Sequence, residues 1–237
     1  MAIAGIDIGT TGSKISVYDE SGAALFKSYR DYPASQYEGE SDALSIWAAA
    51  RDLLTEAARA VPGIRGVGVS SFGECFVPLD ENDTPLMGVM PYTDPRGVEE
   101  CAEFAAKLGA EHIADITGVM PHSMYSLPKL LWLKAHRPEL LKKAKRVLLI
   151  EDYVVYMLTG VAQIDYSLAT RTMFLDIRKL DWSDEILDAA GLDKRLFSKP
   201  VPTGTAAGPV KPELAQALGL PKDLLVVNCC HDQVAAA

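Results

Sequence analysis

Asp7 and Asp232 stand in settings where a carboxylate needs a reason. Asp7 interrupts the apolar run Ala2-Ile3-Ala4-Gly5-Ile6-Asp7-Ile8, and an unpaired charge inside a strand is costly to bury. Gly9-Thr10-Thr11-Gly12 follows, and Lys14-Ile15-Ser16-Val17-Tyr18 resumes the alternation. Period-two alternation on both sides of a glycine-bearing turn predicts a β-hairpin. Glycines free such a turn for positive φ and for close approach of a ligand. Exposed N–H groups and the hydroxyls of Thr10 and Thr11 can then face phosphate oxygens, and a metal ion carried by a nucleotide would offset the charge of Asp7. An ordinary Gly-Thr hairpin, with Asp7 bonding its own turn, is the alternative. Gly5, Gly9 and Gly12 fit neither GxxxxGK[ST] nor GxGxxG, so a hairpin and not a strand-to-helix turn would make the contact.

Asp232 follows an apolar run, Leu224 to Asn228, and the triplet Cys229-Cys230-His231. Phosphorylating a hydroxyl needs a base near it, a positioned nucleotide and a metal to neutralise the phosphates. Asp232 could be that base, or simply the N-cap of a helix over 233–237. Glu74, in Ser70-Ser71-Phe72-Gly73-Glu74-Cys75, could bind vicinal hydroxyls of a polyol or could be a solvent-facing turn residue. Asp94, in Tyr92-Thr93-Asp94-Pro95-Arg96, reads as the cap of a helix with Pro95 at its first position. Three adjacent residues cannot close a tetrahedral metal site, so Cys229, Cys230 and His231 read as buried strand-end residues.

These side chains must be positioned by a series of short elements. Strands are predicted over 23–32, 64–70, 76–79, 89–92, 147–150 and 224–228, besides the first hairpin. Asp42 starts a helix whose apolar face is Leu44, Trp47, Ala50, Leu54 and Ala57, ended by Pro62-Gly63. Further helices are predicted over 96–108, from 126 to 136, over 153–158 with Asp152 as cap, over 184–190 and over 213–218. Lys142, Lys143, Lys145 and Arg146 read as a solvated helix end. Three strands, a helix and a strand in that order imply a mixed sheet flanked by helices, an α/β domain. Val234-Ala-Ala-Ala reads as the first turn of a helix just past Asp232. Ligands of α/β sheets gather at the carboxyl ends of strands, so further chain is expected to complete a site here.

The 237 residues carry a formal charge of −9, which argues against nonspecific binding to nucleic acid or anionic membrane. No apolar run reaches the ~18 residues that span a bilayer. Cys75, Cys101, Cys229 and Cys230 show no CxxC spacing, which suits a reduced, cytoplasmic protein.

Taken in order, GIDIGTTGSK at 5–14, YTDPR at 92–96, SLPKLLWL at 126–133, EDYVVYMLTG at 151–160, ATRTMFLDIRKLDW at 169–182 and HDQVAAA at 231–237 resemble the N-terminal domain of the FGGY carbohydrate kinases. That family includes glycerol kinase, xylulokinase and gluconokinase, and the similarity runs from Ala2 to Ala237. It implies a ribonuclease H-like (actin/hexokinase-like ATPase) domain over 1–237, with helices on both faces of the sheet. It implies ATP-dependent phosphorylation of a ketose, polyol or sugar acid, with ATP and Mg²⁺. In that reading Asp232 is the catalytic base and Gln233 helps hold substrate. Asp7 acts through the nucleotide's magnesium, and Gly9, Thr10 and Thr11 face the phosphates. Glu74 and Tyr92 contact the sugar, and Met124 or Tyr125 supplies another pocket residue.

Two departures carry expectations of their own. Gly73 stands where glycerol kinases have an arginine before the glutamate, which would remove a guanidinium from the pocket and favour a substrate longer than glycerol. Family members run to about twice this length, so the C-terminal nucleotide-binding domain is the expected partner, and the isolated chain is expected to bind sugar weakly with little or no kinase activity. A non-catalytic actin-like sensor or scaffold is the alternative, and an NAD-binding oxidoreductase is disfavoured because the dinucleotide glycine spacing is missing. The oligomeric state, a homodimer included, stays open.

Overall fold

The computed structural model describes residues 1–237. Three antiparallel strands open it, β1 (Ala2–Ile8), β2 (Gly12–Asp19) and β3 (Ala24–Asp31), followed by α1 (Ala43–Ala60), β4 (Ile64–Ser71) and β5 (Phe76–Leu79). Next come α2 (Val98–Leu108), α3 (Ala110–Thr117), α4 (Ser126–His136), α5 (Pro138–Lys143), β6 (Arg146–Leu149) and α6 (Ile150–Thr159). Then follow β7 (Gln163–Asp165), α7 (Tyr166–Ala169), β8 (Leu175–Asp176), β9 (Asp181–Trp182) and α8 (Asp184–Ala190). The chain finishes with β10 (Lys199–Val201), β11 (Ala206–Pro209), α9 (Pro212–Leu218), β12 (Leu225–His231) and α10 (Asp232–Ala235).

The main sheet is mixed, in the order β11-β12-β4-β1-β2-β3, with β12, β4 and β1 mutually parallel. Its alternation decides which way each side chain points. Ala2, Ala4, Ile6 and Ile8 of β1 are buried with Ile15 and Val17 of β2 and Val67 and Val69 of β4. Burying each such valine or isoleucine contributes about 1.5–3 kcal/mol. The helices α1 and α6 share that core. The odd-numbered positions of β1, including Gly5 and Asp7, turn to the other face, where α10 meets β4. A second core, built around Phe104, Ile113, Leu130, Phe174 and Trp182, joins α2, α3, α4 and α8. No helix is long and apolar enough to cross a membrane.

Several elements differ from the sequence expectation. In α1 the Asp42 cap is present, its side chain accepting from the Leu44 N–H at 2.9 Å. Its buried face, however, is Ile46, Ala50, Leu53, Leu54 and Ala57, while Leu44 points to solvent. Residues 89–92 form no strand: Val89 makes one bridge to Ser41, and Pro91 has no N–H to extend a ladder. Asp94 caps no helix. It holds the Arg96 guanidinium at 2.6 and 2.8 Å, a charge-assisted fork that outcompetes a cap. Asp152 lies inside α6, which starts at Ile150, and β12 runs on past Asn228 to His231.

Gly97, immediately before α2, has φ +93°, and a Cβ there would sit 2.7 Å from the backbone carbon of Pro128 in α4. Gly97→Ala is therefore expected to lower stability by about 2–3 kcal/mol through backbone strain and this collision. Urea unfolding checks it, and a loss below about 0.5 kcal/mol, the scale of an ordinary surface change, would contradict this packing account.

Candidate active site

Three parallel strands end side by side and bring together residues far apart in sequence. Asp7 of β1 is in register with Ser70 of β4, and Ser71 of β4 with His231 of β12. Asp232 follows at once. A cavity of about 560 Å³ opens at this edge, lined by Asp7, Lys14, Ser70, Thr203 and Asp232 among others. This is the carboxyl end of the parallel strands, where ligands of α/β sheets bind.

Asp7 does not bond its own turn. Its Oδ2 pairs with Lys14 Nζ at 2.9 Å, the neighbour that the β1–β2 register supplies. That bond pushes the Lys14 ammonium above its usual value. Asp7 Oδ1 and Ser70 Oγ are both buried without a partner. Buried polar atoms are normally hydrogen-bonded, so this pair suits a cation or its bound water. No three His, Cys, Asp or Glu side chains converge as a complete metal site. A Mg²⁺ ion at Asp7 would take its remaining ligands from phosphate oxygens and water, the usual pattern for that ion.

The hairpin turn is closed by the Gly9 N–H donating to the Gly12 carbonyl at 2.9 Å, and the Tyr32 N–H bonds the Thr11 carbonyl at 2.9 Å. Thr10 and Thr11 are exposed at the end of β1. They stand beside the cavity that Asp7 and Asp232 line, not among its lining residues.

Asp232 is not an N-cap. α10 begins at Asp232 itself, with His231 as the flanking residue. Asp232 Oδ1 accepts only from the next N–H, that of Gln233, at 2.7 Å, and lies 3.3 Å from His231 Nε2. The carboxylate remains about one-third exposed. Gln233 is exposed one residue further on.

Glu74 is the reverse of a solvent-facing turn residue: it is 4% exposed, with φ +64°. Ser126 Oγ donates to its carbonyl at 2.6 Å. Its carboxylate pairs with Arg171, whose guanidinium lies 4.9 Å from the ring centre of Tyr125. The guanidinium expected to be missing beside Gly73 is thus supplied by the turn at 170–172. Gly73 in turn abuts His231, the residue before Asp232. The Tyr92 side chain is exposed, and its carbonyl accepts from Lys129 Nζ at 3.5 Å. Met124 is half-buried against the second core, and only its backbone N–H is fixed, by His122 Nδ1.

Arg171, Lys129 and Ser167 went unrecognised in the sequence, while His231 is the buried strand-end residue that the sequence predicts. Lys129 is fully buried in α4, donates to the Ser123 carbonyl at 2.7 Å, and is pulled below its usual value by burial. It ties the Tyr92 loop to the 122–125 loop, yet nothing in SLPKLLWL distinguishes it from a surface lysine. The His231 N–H donates to Ser167 Oγ at 2.9 Å, and Ser167 Oγ donates to Asp165 Oδ1 at 2.8 Å. Asp165 caps α7. That Asp-Tyr-Ser step is a cap signature the sequence does carry.

A mixed sheet with a carboxylate at the end of each outer parallel strand and a hydroxyl-rich hairpin beside them has the architecture of an actin- and hexokinase-like ATPase domain. Comparison with known proteins agrees with that class. The chain belongs to the FGGY family of carbohydrate kinases, residues 2–237 matching the family's N-terminal domain. It is 29% identical to a xylulose kinase of Lactococcus lactis, over 99% of this chain and 48% of that protein. It is 30% identical to a gluconokinase of Bacillus subtilis, over 97% of this chain and 46% of that protein. The crystal structure of xylulose kinase from Rhodospirillum rubrum superimposes with a TM-score of 0.93 at 25% identity, covering 100% of this chain and 50% of that one. The chain spans about half the length of the relatives it matches.

Proposed function

We propose that residues 1–237 form the sugar-binding half of an ATP-dependent carbohydrate kinase whose nucleotide site is completed by a C-terminal domain. The observation that carries this reading is the convergence of Asp7 and Asp232 on one cavity at the carboxyl ends of β1 and β12. Asp232 accepts the proton of the attacking sugar hydroxyl, whose oxygen bonds to the terminal phosphorus of ATP as ADP leaves. Its partial exposure beside the Glu74 pocket suits a base that must reach a bound hydroxyl. Glu74, Tyr92 and Tyr125, with Met124 and Gln233 at the periphery, hold the sugar; Gly73 gives the pocket its width. Gly9, Thr10 and Thr11 present backbone N–H and hydroxyl groups to the phosphates. Asp7 would hold Mg²⁺, which when bound would neutralise phosphate charge. Lys14 Nζ supplies a positive charge to the same carboxylate.

An ADP-release screen over ketoses, polyols and aldonates tests this. The protein carrying its C-terminal domain is expected to turn over at least one class. The 237-residue chain alone should bind that sugar weakly and release little or no ADP, because cleft closure by a second domain assembles such sites. Robust phosphorylation by the isolated chain would remove the half-site claim. Sugar-independent partner binding, with no turnover in any form of the protein, would favour a scaffold.

A further inference from the structure

The surroundings of Glu74 are built from two distant segments that approach closely at Gly73, where there is no side chain. A Cβ on Gly73 would lie 3.0 Å from Arg171 Cγ and 3.0 Å from His231 Cδ2. Arg171 fills that space from the turn at 170–172, 97 positions beyond Glu74. Its guanidinium is held on two sides. One flat face covers Tyr125, at 4.9 Å from the ring centre. Its Nε donates to Glu74 Oε1 at 2.5 Å, and Nη2 pairs with that same oxygen. Both contacts fall on Oε1, which leaves Glu74 Oε2 and Arg171 Nη1 for other partners. The Arg171 side chain is 23% exposed, while that of Glu74 is 5% exposed.

An acceptor and a donor carried by one ion pair match two neighbouring hydroxyls: one gives its proton to Oε2 and the other receives N–H from Nη1. Arginine suits this because its planar fork can serve a carboxylate with one edge and a ligand with another. An ammonium group at the same place has no second directed edge. We infer that Arg171 is a specificity-determining residue of the sugar pocket, which with Glu74 recognises a vicinal diol of an uncharged ketose or polyol. The inference rests on the carbohydrate-kinase reading and deepens it. It also explains how a pocket with glycine at position 73 keeps a guanidinium, and it disfavours a substrate carboxylate at this point, where Glu74 would repel it.

The test is calorimetric titration of the protein carrying its C-terminal domain with D-xylulose, xylitol and D-gluconate. Wild type and three variants, Arg171→Gln, Arg171→Lys and Gly73→Arg/Arg171→Gly, are compared, and thermal melting checks that each is folded. Wild type is expected to prefer xylulose or xylitol to gluconate. Arg171→Gln should weaken that binding about 10–100-fold, the scale of a lost charged hydrogen bond. Arg171→Lys should weaken it nearly as much, although it keeps the ion pair with Glu74. The double variant returns a guanidinium from the other segment and should recover part of the loss. Unchanged affinity in Arg171→Gln would overturn the inference alone, leaving the kinase reading intact. Full affinity in Arg171→Lys would also overturn it, by reducing Arg171 to a brace for Glu74. Preference for gluconate would overturn the diol assignment. Failure of wild type to bind any of the three would count against the kinase reading itself.

Discussion

Asp232→Asn is expected to lower kcat about 10²–10⁴-fold in the protein carrying its C-terminal domain, the usual worth of a positioned general base. Sugar affinity should change little. Asparagine is isosteric and can still accept the Gln233 N–H that Asp232 accepts at 2.7 Å, so the start of α10 is preserved. Lost is the carboxylate that the proposed mechanism uses to take a proton from the bound hydroxyl. The interaction that fails exists only as the proton leaves, so the effect belongs in kcat and not in KM. Steady-state ADP release and a separate sugar titration distinguish the two. A kcat within about twofold of wild type, far below the usual worth of a base, would remove Asp232 from that role. A parallel loss of sugar affinity and of thermal stability would assign it a structural part in α10 instead.

The second large effect is on stability, and it comes from the acids beneath the sheet. Burial pushes the Asp152 carboxyl up to about 8 and raises Glu151 well above its ordinary value. Asp152 Oδ2 accepts from Ser198 Oγ at 2.5 Å, but its Oδ1 is buried without a partner. In Glu151, Oε2 accepts from Asn228 Nδ2 at 3.1 Å and Oε1 is similarly unpartnered. The folded chain therefore keeps protons that the unfolded chain releases above pH ~4. In that interval the folded state binds more protons, so stability falls as pH rises. For Asp152 the decline ends near pH 8, where the folded carboxyl also ionises. The limit is about 1.4 kcal/mol per pH unit for each such group.

Urea unfolding at pH 5, 6, 7 and 8 should show wild type losing stability steadily. Asp152→Asn cannot ionise, and its profile should be flatter by roughly 1 kcal/mol per pH unit. The variant gains most, relative to wild type, at pH 8. Parallel profiles for the two proteins would mean that Asp152 is ionised in the fold throughout. Kinase turnover gives no substitute readout, since it reports the reaction and not the folding equilibrium.

The local parts of this architecture were legible for local reasons. Alternation around Gly9 to Gly12 specifies the first hairpin, Asp42 caps α1 as its position implies, and the order of six short motifs identifies the family. Other signals were ambiguous because one residue type serves two purposes. Asp94 and Asp152 both look like caps. Asp94 instead meets Arg96, and Asp152 is carried inside a helix that starts two residues earlier. Leu44 sits at a plausible helical spacing, but the stripe that faces the sheet is set by where α1 crosses β1, β2 and β3.

The sequence by itself determined which residues could do chemistry: a carboxylate in the first strand, a hydroxyl-rich turn after it, an acid behind an apolar strand, and a glutamate in a glycine-bearing loop. Those are properties of type and short-range spacing. Only the tertiary structure decided which of them meet. Parallel pairing of β1, β4 and β12 brings Asp7, Ser70 and Asp232 to one edge, and the bare backbone of Gly73 admits Arg171 to the Glu74 pocket. The physical reason is that strand pairing and side-chain packing act across space. A guanidinium missing from one position can be returned by another far along the chain, and local sequence carries no record of that exchange.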